Sequence, residues 1–428
     1  MKLSCGWVAC LALVAYAAGA VALDVPQRVH HTKTETHLRQ THRAAVHHAA
    51  AKSPATHTAA HASTAHVSTA QTASRSSALH TVSGAHLRRA SARVRRHRYY
   101  ERFTASSFLT GAVGQGDIAT GEDPVVRQAA MDALGDMNGT AVVIDPSSGR
   151  ILAMVNQGLA LSPGAEPCST IKITVAMAAL SEGLVTADTM VQLPGFRMNM
   201  TQALAKSNNL YFEELGRELG FERVRHYATE FGLGELAGYN IPGEQLGAYP
   251  DQPIPESDGG VGRMCSFGLG VSLTPLQLGA FVAAIANGGT LYYLQHPTTP
   301  EEIAGFQPRV KRTLDIAKYV TELEDGMAGA VEYGTARSLR TNFHELPVFG
   351  KTGTCSNEGT RYGWFASFSD SPQGSLVTVF FLEGGRATFG PRAAELTGEF
   401  YRNLWDRNYF TAKSQEAQSL SSATPGGQ

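Results

Sequence analysis

The chain has 428 residues, 36 Lys or Arg against 37 Asp or Glu, and a formal net charge of −1. That near balance hides an asymmetry, because residues 25–98 hold 12 Lys or Arg and Glu35 as their one acidic residue, a local charge of +11 (12 minus 1) that leaves about −12 for the rest. Five cysteines, two of them within the first 23 residues, exclude a disulfide-built scaffold, and the composition favours one large folded unit that begins near residue 100.

Residues 1–23 read as a signal peptide or membrane anchor. Lys2 precedes an uncharged run over residues 3–23, and Ala20-Val21-Ala22 has the small-x-small form of a cleavage site. The run has about the 20 residues needed to cross a bilayer once, so cleavage and retention both stay open. Either outcome places the chain outside the cytoplasm, in the periplasm, secreted, or attached to the inner membrane through residues 3–23. Residues 24–98 read as a disordered basic tether rich in Ala, His, Thr and Ser. It holds 12 of the 15 histidines and almost nothing to bury. As a flexible chain it reaches about 50 Å. Its Arg88 to Arg98 cluster is the sole feature that points to nucleic acid, and export argues against that partner.

Residues 99–123 read as a transitional linker, and the folded domain is expected over 124–410. Helical spacing at 124–134 is followed by a buried strand at 139–145, a Pro146-Ser147-Ser148-Gly149 turn and a second strand at 150–155. Helices are expected at 169–182, 201–206, 209–219, 221–231, 275–286 and 318–331, with Gly183, Gly220, Gly232 and Gly288 at or near their ends. Strands return at 348–354, 363–368 and 375–382 before a closing helix at 392–405, and residues 411–428 read as a disordered tail. Strands at both ends with helices between them predict an α/β domain in which the early hairpin joins the late strands in a mainly antiparallel sheet.

Pro167-Cys168-Ser169-Thr170-Ile171-Lys172 places a serine and a lysine three residues apart at the start of an apolar helix. Such residues share a helix face. A lysine kept neutral by desolvation or by a neighbouring positive charge is a base for the serine hydroxyl. On its own the pair reads more readily as a helix cap and a snorkelling lysine. Two further segments weigh against that: Ser207-Asn208-Asn209 between two helices, and Lys351-Thr352-Gly353-Thr354 on a strand. No metal-ligand set or cofactor motif is read.

S-x-x-K, S-x-N and K-T-G in this order resemble the transpeptidase domain of penicillin-binding proteins, within the superfamily that includes the serine β-lactamases. Residues 141–155 are similar to that family's opening hairpin, as are Ser266-Phe267-Gly268-Leu269-Gly270 and residues 274–289 to later segments, so the likeness covers roughly 123–405. The resemblance implies a three-layer fold with helices flanking the central sheet. It implies a D,D-transpeptidase that acts on D-alanyl-D-alanine stem peptides of peptidoglycan and is acylated by β-lactams. Ser169 would be the nucleophile, Lys172 its base and Ser207 the proton relay. Asn209 would hold the substrate amide, and Lys351 would add the positive charge that attracts the terminal carboxylate and helps keep Lys172 neutral. Thr352 or Thr354 would donate to the carboxylate, Gly353 would admit the substrate backbone, and the N–H groups of Ser169 and Thr354 would form the oxyanion hole.

The same resemblance leaves a D,D-carboxypeptidase, a class D-like β-lactamase, or a β-lactam or wall-fragment sensor as rivals. Against the β-lactamase, no glutamate-bearing loop of the deacylating kind is evident between Gly183 and Met200; against the sensor, no output element is read. Three departures from the family stand out. Cys168 replaces the glycine that usually precedes the nucleophile. Only 38 positions (207 minus 169) separate the first two motifs, which predicts a trimmed cleft wall. A low-complexity tether stands where relatives carry a glycosyltransferase or dimerisation domain. Cys168, Cys265 and Cys355 permit one disulfide at most, or three buried thiols.

Overall fold

The structure is a computed structural model that describes residues 103–371 and 374–413; the expected export segment, tether and most of the tail lie outside the described residues. No helix among the described residues is long and apolar enough to cross a membrane.

Helix α1 (Pro124–Leu134) starts where the Asp123 carboxylate accepts the N–H groups of Val125 and Val126, with Pro124 in the first turn where its missing N–H costs nothing. Strands β1 (Gly139–Asp145) and β2 (Arg150–Val155) follow as an antiparallel hairpin. Its turn is closed by Asp145, which accepts from Ser147 N–H and both serine hydroxyls, and by Gly149 at φ +74°. A short helix α2 (Gln157–Ala160) and a 3₁₀ turn (Cys168–Ile171) lead into α3 (Lys172–Ser181). Residues 172–180 of α3 are all buried, as expected of a helix that is apolar all round and runs through a core.

A small hairpin, β3 (Val191–Leu193) and β4 (Phe196–Met198), occupies the short span before α4 (Met200–Lys206). Helix α5 (Asn209–Glu230) kinks at Gly220, whose φ of +74° and ψ of 161° divide it where the sequence predicts a break between two helices. Then come α6 (Gly260–Phe267) and α7 (Pro275–Ala286), the latter opened by a reciprocal Thr274/Gln277 capping box. Strand β5 (Thr290–Tyr292), α8 (Pro300–Ala304), β6 (Val310–Thr313) and α9 (Val320–Glu332) precede the long strands β7 (Val348–Asn357), β8 (Thr360–Ser369) and β9 (Leu376–Gly384), and α10 (Gly390–Asp406) closes the domain.

The central sheet runs β2-β1-β9-β8-β7 and every pairing in it is antiparallel, so the early hairpin joins the late strands through β1 and β9 as predicted. Period-two alternation buries both faces. Val142, Ile144, Trp364, Ala366, Val377, Val379 and Phe381 face the core of α3, α5 and α7. Ala141, Val143, Phe365, Phe380 and Leu382 face α1 and α10, against Ala129, Leu396 and Phe400. The result is a three-layer α/β arrangement.

Two expectations about the borders need correction. Residues 103–123 form an integral arm. Ser107 Oγ accepts from Gly385 and Ala387 N–H, Asp117 accepts from Asn156 and Gln157 N–H and pairs with Arg127, and buried Glu122 meets Arg127 and His296. The arm attaches through polar groups, which apolar periodicity does not register. At the other end, residues 411–413 continue a helical turn in which Ala412 N–H donates to Asn408, beside buried Tyr409 and Phe410.

Candidate active site

Three elements bring the three motifs together. The turn at 168–171 supplies Ser169, the α4–α5 junction supplies Ser207 and Asn209, and the edge strand β7 supplies Lys351. At the junction, Ser207 takes a left-handed φ of +54°, which ends α4, and the Asn208 side chain caps α5 by accepting Tyr211 N–H. This tight reversal aims Ser207 and Asn209 at one point.

That point is the Lys172 amine. Its Nζ lies 2.8 Å from Ser169 Oγ, 2.6 Å from Asn209 Oδ1, 3.1 Å from the Ser207 carbonyl oxygen and 3.2 Å from Ser207 Oγ. Hydrogen counting restricts the arrangement. A neutral amine has two N–H groups and one lone pair, and the two carbonyl oxygens can only accept. Both N–H groups therefore go to Asn209 and the Ser207 carbonyl, which leaves the lone pair for a hydroxyl proton, and the nearer hydroxyl is that of Ser169. The Asn209 amide NH₂ stays free to donate.

Lys172 is fully buried, and desolvation lowers its pKa from 10.5 to about 7, against a small opposing pull from Glu213. Lys351 is also fully buried and donates to Ser207 Oγ at 2.8 Å and to the Thr352 carbonyl at 3.0 Å. Burial first, and the charge of Lys172 second, push the Lys351 amine well below its ordinary value. Burial, and not the charge of Lys351, is what lowers the Lys172 amine, whereas the Lys351 amine is lowered by burial and then by the charge of Lys172.

Strand β7 lies against the turn that carries Ser169. A Cβ on Gly353 would stand 2.8 Å from the Pro167 carbonyl oxygen and 3.3 Å from Cys168 Cβ, so glycine is required by close approach. Trp364 Nε1 on β8 donates to the Glu166 carbonyl at 3.0 Å. Gly268, after α6, is similarly close to the Pro167 ring, which gives the Ser266 to Gly270 segment a place in the architecture: it backs the turn that carries Ser169. Cys168 and Cys355 are joined as a disulfide, and Cys265 is a buried free thiol. The sequence left that pairing open.

The two threonines differ in their surroundings. Thr352 is 4 % exposed and its Oγ1 shares a 2.6 Å hydrogen bond with Thr335 Oγ1. Thr354 is exposed, and its Oγ1 accepts the N–H of Gly390, the first residue of α10, at 2.8 Å. An accepting hydroxyl keeps its own proton to donate. Thr335 and Gly390 carry no motif that sequence reading could have used; the bridging partners of Thr352 and Thr354 emerge only from the packing of α9 and α10 on β7.

The chain matches the family model for the penicillin binding protein transpeptidase domain over residues 139–402. It is 28 % identical over 286 residues to the penicillin-binding protein PbpB of Mycolicibacterium smegmatis, covering 56 % of this chain and 43 % of that one. It is 24 % identical over 390 residues to the peptidoglycan D,D-transpeptidase MrdA of Acinetobacter baumannii, covering 73 % and 56 %. Among solved structures, a Pseudomonas aeruginosa PBP2 crystal structure superposes with a TM-score of 0.56 at 22 % identity, over 67 % of this chain and 74 % of that one, which supports the fold. The chain spans about half the length of the first of these curated relatives.

Proposed function

Given that this chain belongs to the penicillin-binding protein transpeptidase family, we propose that it is a serine-type D,D-transpeptidase that acts on D-alanyl-D-alanine stem peptides of peptidoglycan and is acylated by β-lactams. The observation that carries this reading is the 2.8 Å approach of Lys172 Nζ to Ser169 Oγ, with the Asn209 and Ser207 carbonyl oxygens on the same buried amine.

In the proposed reaction Ser169 Oγ attacks the carbonyl carbon of the penultimate D-alanine while Lys172 takes its proton. The N–H groups of Ser169 and Thr354 stabilise the oxyanion, a contribution of about 3 kcal/mol per donor in other acyl-transfer sites. Ser207, whose Oγ lies 2.8 Å from Lys351 Nζ and 3.2 Å from Lys172 Nζ, relays a proton to the departing D-alanine amine. The amine of a second stem peptide then attacks the acyl-enzyme, and the same groups act in reverse. Asn209 donates its free NH₂ to a substrate carbonyl. Thr354, with its proton free and the N-terminus of α10 behind it, and Thr352 and Lys351 receive the terminal carboxylate. The substrate backbone lies along β7, which ends the sheet and has an unpaired edge.

The hairpin β3–β4 forms the short wall between the first two motifs, with Phe196 exposed on it. It supplies no glutamate for rapid deacylation, which favours a transpeptidase over a β-lactamase. We place the active domain outside the cytoplasm, tethered or exported through residues 1–23.

The test is release of D-alanine from a stem peptide ending in D-alanyl-D-alanine, with and without a second peptide that carries a free side-chain amine. Release accompanied by formation of the cross-linked dimer is the expected result. Release unaffected by the amine, with hydrolysed peptide as sole product, would make the protein a carboxypeptidase, and no release would remove the peptidase reading altogether.

A further inference from the structure

The residue before the nucleophile is not the glycine that its backbone calls for. Cys168 has φ +52°, a left-handed conformation that side chains other than those of Gly, Asn and Asp rarely adopt, and it is fully buried. Its sulfur is bonded to Cys355, the residue after Thr354, across a sequence separation of 187. The bond therefore joins the two segments that present the oxyanion donors. The Ser169 N–H belongs to the peptide plane that starts at Cys168 Cα, and the Thr354 N–H lies one residue before Cys355.

The segment on the β7 side is paired with β8 and holds Gly390 N–H on Thr354 Oγ1, and the disulfide is its covalent tie to the Ser169 turn. Thr354, Ser356 and Asn357 are exposed, β7 is the edge of the sheet, and the hairpin tip beyond it runs through Glu358 and Gly359, both at positive φ. The nucleophile turn, by contrast, is held independently by Trp364 Nε1 on the Glu166 carbonyl and by the packing of Gly268 on Pro167. Loss of the sulfur bridge would thus leave Ser169 on its turn and β7 on its ladder to β8, and release the spacing between the two. A bland staple could have closed any loop of the domain. This one spans the oxyanion hole.

Resting on the transpeptidase reading above, we propose that the Cys168–Cys355 disulfide is a positioning element for acyl transfer: it fixes the separation of the Ser169 and Thr354 N–H groups, and acylation slows when the bond is opened. Opening is a two-electron step. A dithiol reductant attacks one sulfur, is itself oxidised to a disulfide, and gives two protons to leave Cys168 and Cys355 as thiols. Cys355 is half-buried beside exposed residues, which gives the reductant a path. An oxidised thiol of the glutathione class reverses the change.

The experiment uses the full chain and a chromogenic or fluorescent penicillin, and it separates the saturating acylation rate from the half-saturating concentration. Three samples are compared: the oxidised native chain, the native chain reduced without denaturant, with thiols counted by mass, and a Cys168→Gly/Cys355→Ser variant. Glycine accepts the left-handed φ, so the variant lacks the bond without backbone conflict. The expected result is a fall of about tenfold or more in the saturating rate for both bond-free samples, since weakening a preorganised oxyanion donor acts on the chemical step. The half-saturating concentration changes by less than about twofold. Reoxidation restores the native chain, and the variant ignores the dithiol. A reduced chain or variant that acylates at the native saturating rate, whatever its melting temperature, overturns the inference and leaves the bond a staple. No acylation of the oxidised native chain would instead overturn the transpeptidase reading and this inference with it.

Discussion

Ser169→Ala is expected to fold as the native chain does and to lose covalent capture of β-lactams and release of D-alanine to background, a loss on the order of a millionfold by comparison with other serine acyl-transfer enzymes. The substitution removes one oxygen from a partly exposed position in a 3₁₀ turn, so the packing of Thr170, Ile171 and α3 is untouched. Ser207 cannot replace it. Its hydroxyl is farther from Lys172 Nζ, 3.2 Å against 2.8 Å, and is already the acceptor for Lys351. Retained labelling in a variant whose melting temperature matches the native chain would show that another group is the nucleophile.

Lys172→Met is expected to separate activity from stability. Acylation should fall by about a thousandfold, since a positioned base contributes roughly 10² to 10⁴ and this one also orders Asn209 and Ser207. Stability should move the other way near neutral pH. A lysine with pKa about 7 in the fold and 10.5 unfolded binds fewer protons when folded, so the native chain gains stability as pH rises from about 7 towards 10.5 and carries the full cost of the buried charge below about 7. Methionine has no such cost, and the melting temperature of the variant should equal or exceed that of the native chain at pH 7. The same lowered pKa sets the rate profile. Because only the neutral amine accepts the Ser169 proton, acylation by the native chain should fall about tenfold per pH unit below about 7. A rate flat from pH 5 to 8, or a variant that retains acylation, would remove Lys172 from its role.

Much of this site can be read in the sequence because its parts are local. The helix, turn and strand that hold Ser169, Ser207 and Lys351 each announce themselves through an apolar run or a cap, and α1, β1, β2 and α7 fall on the residues where Pro, Gly and Asp signals predict them. What the sequence conceals is what packing decides. The hairpin β3–β4 has three-residue strands with Phe196 and Arg197 exposed, too short for periodicity to register. Helix α6 begins with Gly260 and Gly262, poor helix formers that hold because Met264 and Cys265 are buried against α5. The arm at 103–123 is fastened by Asp117, Glu122 and Ser107 to partners remote in the chain. The Cys168–Cys355 pairing is likewise a product of the approach of β7 to the nucleophile turn, although Cys168 in a glycine position is its one visible sign in sequence.

In the proposed reaction Ser169, deprotonated by Lys172, is the group that becomes acylated. The most direct measurement is intact-mass analysis and peptide mapping of the native full chain after brief exposure to a penicillin at pH 8, above the pKa of Lys172. One adduct per chain is expected, equal in mass to the whole penicillin because ring opening expels nothing, located on Ser169 and released slowly. An adduct on any other residue, or an unmodified chain, would contradict it.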